Sequence, residues 1–154
     1  MSISLAYAPV KGKDVVQLVA LEFGIFHLDP DGEGAYAIRT ADGRVLRIFL
    51  REGEAVLLEC QLFSKVTGQI RSPERLMGLL KENFVRAIQR AAIVTYLKEL
   101  DELVLSQVLP SSDWEEQKIS EQVGSLLSDV QRMGSLLQQL LFSSGLPSNP
   151  YPAT

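Results

Sequence analysis

Between residues 35 and 63 the apolar positions fall into three short runs, AYAIRT, VLRIFLR and AVLLECQLF, each rich in β-branched or aromatic residues. They predict three strands. Side chains directly opposite each other in an antiparallel pair share a face, so the register follows from matching apolar positions. A three-residue loop of Ala41, Asp42 and Gly43, with Gly43 left-handed, sets Ile38 against Leu46 and Tyr36 against Ile48. A two-residue Asp-Gly loop would set Ile38 against Arg47, so the longer loop is expected. A second loop at Glu52 to Glu54 sets Leu50 against Val56, Ile48 against Leu58 and Leu46 against Cys60. The three strands then share one continuous apolar face. The reverse face is mixed, with Val45, Phe49, Leu57 and Phe63 among Arg39, Arg47, Arg51, Glu59 and Gln61. Such a face is either partly covered by its own chain or offered to a partner.

The pattern changes period on both sides of these strands. Asp14 precedes VVQLVALEFGI, where Val15, Leu18, Val19 and Glu22 fit a short helix with one apolar side, closed by Gly24. The cluster LDPDGEG cannot continue it. Downstream, Ser72 is a capping residue, Pro73 suits the first helical position and Glu74 complements the dipole. Leu76, Leu79, Leu80, Phe84, Ala87 and Ile88 then recur at helical spacing, a stripe that serves a core or a dimer interface. Asn83 interrupts it and needs a partner or a place at the margin.

From Ala91 two readings stand. AAIVTYL and LVLSQVLP are dense in residues that suit a pleated surface, and KELDE between them is polar enough for a turn, though it lacks glycine. No proline occurs between Pro73 and Leu109, so a continued helix is the alternative. After Pro110, Ser111, Ser112, Asp113 and Glu115 predict a capping box opening a long helix. Ile119, Val123, Leu126, Leu127, Val130, Met133, Leu137, Leu140 and Leu141 line one side of it. SSGLPSNPYPAT, at 143–154, reads as a disordered tail on a single domain of residues 1–142.

Composition narrows the function more by exclusion than by signature. The 154 residues carry a formal charge of −4, and the 15 Lys and Arg residues are scattered, without the basic stripe that nucleic acid requires. His27 is the only histidine and Cys60 the only cysteine. A multi-histidine metal site is therefore excluded, and a Cys60–His27 pair is supported by coexistence alone. Cys60, in an apolar run, reads as a buried thiol. Neither GxxxxGK(S/T) nor GxGxxG occurs. The acid pairs Asp29/Asp31, Glu52/Glu54 and Asp101/Glu102 lie beside turn residues, where carboxylates are commonly just solvated. MSISLAYAPVKG lacks a charged n-region and an adequate apolar stretch, so no signal peptide is expected, and no apolar run reaches the length of a membrane span. A non-enzyme of the reducing cytosol is the expectation.

Three stretches carry a resemblance to a known family. LDPDGEGAYAIRTADGRVLRIFL, LLKENFVRAIQ and ELVLSQVLP are similar to the first hairpin, second helix and last strand of the class I chaperones of bacterial type III secretion, the Tir chaperone (CesT) family. The likeness spans roughly residues 15 to 140 and favours the strand reading of Leu103 to Leu109. It implies an α+β fold, an antiparallel sheet with helices in the order α-β-β-β-α-β-β-α. It also implies a homodimer without cofactor or enzymatic activity, cytoplasmic, that binds the N-terminal segment of an effector protein. By this resemblance the dimer would meet through Phe84, Ile88, Ile93 and Tyr96, and the effector would fill apolar patches at Leu18, Leu21, Phe26, Phe49 and Leu57. Ordinary core packing is the competing account for each. The glycine-free KELDE and the extension through Pro9 and Val10 depart from the family pattern. The acidic balance would suit a basic effector segment. A same-fold regulator that sequesters another secretion component or a transcription regulator, and an unrelated small enzyme with a concave polar pocket, are the rival readings.

Overall fold

The structure is a computed structural model that describes residues 11–51, 55–66, 73–89 and 91–139. Helix α1 spans Gly12–Leu21 and is followed by strands β1 (Tyr36–Arg39), β2 (Val45–Arg51) and β3 (Ala55–Ser64). Helix α2 (Pro73–Ile88), strands β4 (Ile93–Leu97) and β5 (Glu102–Pro110), a 3-10 turn (Ser111–Asp113) and helix α3 (Glu116–Leu137) complete the described order. The class is α+β, with one five-stranded antiparallel sheet ordered β1-β2-β3-β5-β4 among the described residues. The stretch from Ile93 to Pro110 is therefore a hairpin and not a continuation of α2.

The described residues fall into two compact units, one made of those up to Cys60 with Ser106–Leu127, the other of those within Gln61–Leu105 with those from Ser128. In the first, the register is the one the apolar positions require. Tyr36 faces Ile48 and Ile38 faces Leu46; Leu50, Ile48 and Leu46 face Val56, Leu58 and Cys60. Gly43 takes φ +86 and its N–H bonds the Thr40 carbonyl at 2.9 Å, closing the three-residue loop. Leu46, Ile48, Val56, Leu58 and Cys60 are fully buried, as are Val15, Val16, Val19 and Ala20 of α1, which packs against β2. Truncating one such core leucine to alanine costs about 3 kcal/mol.

Helix α1 begins at Gly12, two residues before the expected Asp14 boundary. Lys11 is the extended residue ahead of the helix, and the Asp14 carboxylate reaches back to accept from the Lys11 backbone N–H at 3.4 Å. A lysine side chain cannot return that bond, so this is the acidic half of a capping box. Gly12 fits because a Cβ there would stand 3.2 Å from Leu50 Cδ2. At the other end Gly24 takes φ +76, and the Gly24 and Ile25 N–H groups bond the carbonyls of Leu21 and Ala20, both at 3.0 Å. That is the paired closure of a Schellman motif.

Helix α3, by contrast, starts later than the sequence suggests. Ser111–Asp113 form a 3-10 turn, and Trp114 is then buried with its indole N–H donating to the Leu109 carbonyl at 2.9 Å. Only beyond Trp114 does the α-helix begin, so Ser111 and Ser112 cap nothing in it. Ile119, Val123 and Leu126 are buried and Leu127 is half-buried. Leu140, Leu141 and the tail 143–154 lie outside the described residues, as does Ser72.

In the second unit β5 is buried at four consecutive positions, Glu102, Leu103, Val104 and Leu105, so both of its faces are covered. Val130, Met133 and Leu137 supply buried side chains from α3. The KELDE turn forms without glycine because Asp101 adopts φ 52 itself. Aspartate tolerates that region better than most residues. Its carboxylate also accepts from the Tyr96 hydroxyl at 2.9 Å, which holds the turn to the strand before it.

Candidate functional site

None of the five effector candidates is sealed in the core. Leu18 is half-buried, Leu21 keeps 46% of its surface exposed and Phe26 keeps 87%. Phe26 sits in the loop after α1, and Gln17 fixes that loop. The Gln17 carboxamide donates to the Leu28 carbonyl at 2.9 Å and accepts from the Leu28 N–H at 3.1 Å. One side chain thus satisfies both polar groups of a loop residue, which holds the neighbouring phenyl ring out in water. Phe49 and Leu57 are both half-buried and lie directly opposite each other on β2 and β3. They form an apolar pair on the mixed face of the hairpin, with Arg47 opposite Glu59 beside them.

Near the start of α1, Lys11, Gly12, Lys13, Leu50, Ala55 and Trp114 line a hollow of about 380 Å³. Its walls are largely apolar, although two lysines are among the lining residues. Sequence reasoning did not find this hollow, because it depends on Trp114 turning back onto β5 and on the close approach of Gly12. The absence of a side chain at Gly12 was the available signal.

In the second unit, α2 carries an outward stripe. Phe84 is 69% and Ile88 68% exposed, and Met77 and Val85 are exposed beside them. Met77, Phe84 and Ile88 are spaced by seven and four residues, so they share one side of the helix. Met77 lies at i−7 from Phe84, a spacing the sequence carries. Of the two β4 candidates, Ile93 is half-buried and Tyr96 is 47% exposed. Leaving four large apolar side chains of one helix in water is unfavourable for a lone subunit, and such patches mark contact surfaces.

Helix α2 is held from its other side by polar contacts. Asn83 donates to the Val94 carbonyl at 2.6 Å and accepts from the Val94 N–H at 2.9 Å. Arg86 is buried, donating through Nε to the Ala92 carbonyl at 2.7 Å and pairing with Asp129 at 3.1 Å; Asp129 also takes Arg132 at 2.6 Å. The polar residue that interrupts the apolar stripe therefore has its partner in the next strand.

The nucleophile question resolves simply. Cys60 is fully buried, and burial pushes its thiol up to about 11, with Arg44 lowering and Asp42 raising it. The thiol stays protonated at neutral pH and lacks the thiolate that chemistry needs. His27 is exposed and bonds Asp29 at 2.8 Å. Among the described residues no group of three acidic, cysteine or histidine side chains is placed to hold a metal, and no helix is long and apolar enough to cross a membrane.

Solved structures share this architecture. The ExsC-ExsE complex contains a chain superposing with a TM-score of 0.67 at 15% identity, covering 86% of this chain and 95% of that one. The HopA1-SchA chaperone-effector complex gives 0.63 at 13% identity, covering 88% and 98%. The Yersinia pestis type III secretion chaperone SycH, in complex with a stable fragment of YscM2, gives 0.59 at 17% identity, covering 81% and 98%. The chain has the type III secretion chaperone fold. No family model and no curated protein sequence matches it. The likeness is thus one of backbone, carried by element order and packing at identities where side chains have diverged.

Proposed function

We propose that this protein is a homodimeric, non-enzymatic type III secretion chaperone of the Tir chaperone (CesT) kind. In the bacterial cytoplasm it holds the N-terminal segment of an effector soluble and competent for export. The supporting observation is the match of fold over more than four-fifths of the chain to chains solved in protein complexes, the HopA1-SchA chaperone-effector complex and the type III secretion chaperone SycH among them. Exposed apolar side chains are what such a task needs. Phe84, Ile88, Ile93 and Tyr96 meet the second subunit; Leu18, Leu21, Phe26, Phe49 and Leu57 receive the effector.

Ordering an unfolded segment costs roughly 2–5 kcal/mol while burying about 1,000–3,000 Å², so apolar patches spread along an extended path supply the gain. No cofactor takes part in such binding. Affinity purification of the tagged chain from its own cytosol, followed by mass spectrometry, tests the reading. Recovery of a secreted protein whose binding region maps to its N-terminal segment is expected; recovery of the chain alone, with no exported protein, overturns it.

A further inference from the structure

The outer edge of the sheet at β4 is occupied by side chains of the helix before it. In a strand, the N–H and C=O of one residue point to the same side, and those of its neighbours to the other. Because Val94 gives both groups to Asn83, they face away from β5, the strand β4 pairs with. The Ala92 carbonyl, two residues back, lies on the same side and is taken by Arg86. Asn83 and Arg86 are three apart in α2 and so project along one side of it.

We infer that Asn83 and Arg86 form a strap that closes the β4 edge to strand addition. Any partner meeting this side then packs against the α2 side chains and does not lengthen the sheet. An open edge is a template for another extended chain, and a protein that handles unfolded polypeptide meets such chains constantly. The carboxamide suits the task because it presents a donor beside an acceptor in one plane, the same pair a strand residue would offer. Arg86 is fixed in turn by Asp129, which Arg132 also holds. The identity of the partner, a second copy of the chain, rests on the dimeric reading above; the closed edge does not.

The test uses the full chain carrying Asn83→Ala. Two-dimensional NMR hydrogen exchange should show the Val94 amide exchanging at least about tenfold faster than in the wild type, beyond any uniform acceleration from lost stability. A labelled synthetic peptide of residues 92–98, AIVTYLK, should bind the variant at least about tenfold more tightly than the wild type. Leu126→Ala, destabilised in the core with the edge still covered, serves as the control and should bind like the wild type. Unchanged Val94 protection, equal peptide binding by wild type and Asn83→Ala, or equal gain in Leu126→Ala would each overturn the strap. A wild type that sediments as a monomer would remove the dimer and leave these outcomes to be read as they stand.

Discussion

Replacing Ile88 by aspartate should separate the proposed dimer without unfolding the subunit. Fully burying an isoleucine contributes roughly 1.5–3 kcal/mol. Since 68% of Ile88 remains exposed in the subunit, the contact can still contribute about 1–2 kcal/mol per copy, or about 2–4 kcal/mol when both copies meet across a two-fold axis. A carboxylate in the same place loses that and adds a desolvation cost of several kcal/mol. At 1.4 kcal/mol per tenfold, the dissociation constant should rise by at least about thirtyfold. Sedimentation equilibrium over a hundredfold range of concentration reads this directly. Circular dichroism should show the same helix and strand content, because the side chain contributes little to the subunit core. A wild type monomeric throughout, or a variant as dimeric as the wild type, would refute the reasoning.

Phe49→Asp places a charge on the mixed face beside Leu57 and should weaken effector capture at least tenfold while leaving the sedimentation of the free protein unchanged; isothermal titration with the co-purifying effector segment measures it. The raised pKa of Cys60 gives a dependence on alkaline pH. The unfolded thiol ionises near 9.0 and the folded one near 11, so the unfolded state binds fewer protons between them and stability falls by about 2–3 kcal/mol across that window. Urea titrations of the wild type at pH 8 and 11 should show the fall, and Cys60→Ala should lack that component. Asp129→Ala leaves the buried Arg86 without its carboxylate and should cost about 3 kcal/mol, seen as a lowered urea midpoint at unchanged slope. Gly24→Ala forces a side chain into a left-handed position and should cost about 1 kcal/mol by the same measurement.

The hairpins were legible because a one-residue slip would have moved every apolar side chain to the wrong face, so Ile38, Leu46, Ile48, Leu58 and Cys60 allow one register. The end of the fold near Pro110 was harder. Ser111, Ser112, Asp113 and Glu115 have the composition of a helix cap, but burying Trp114 and bonding its indole to Leu109 required a tighter turn there first. KELDE looked wrong for a turn only if glycine supplies the left-handed residue; Asp101 supplies it and is anchored by Tyr96. The candidate surfaces were legible as positions and not as exposures. A stripe such as Phe84 and Ile88 has the same spacing whether it faces a core or water, and only the packing of α2 through Asn83 and Arg86 decides which side turns outward. Leu18, Leu21 and Phe26 were similarly ambiguous until the Gln17 tie to Leu28 fixed the loop.

The protein contains a single tryptophan, and that residue forms one wall of the hollow beside Lys11 and Lys13. Light emitted on selective excitation of the indole therefore comes from one known place. Anything that enters the hollow, or any loosening of the 3-10 turn that carries the indole, will shift one unmixed emission band, so the molecule brings its own optical gauge to every titration and every unfolding curve.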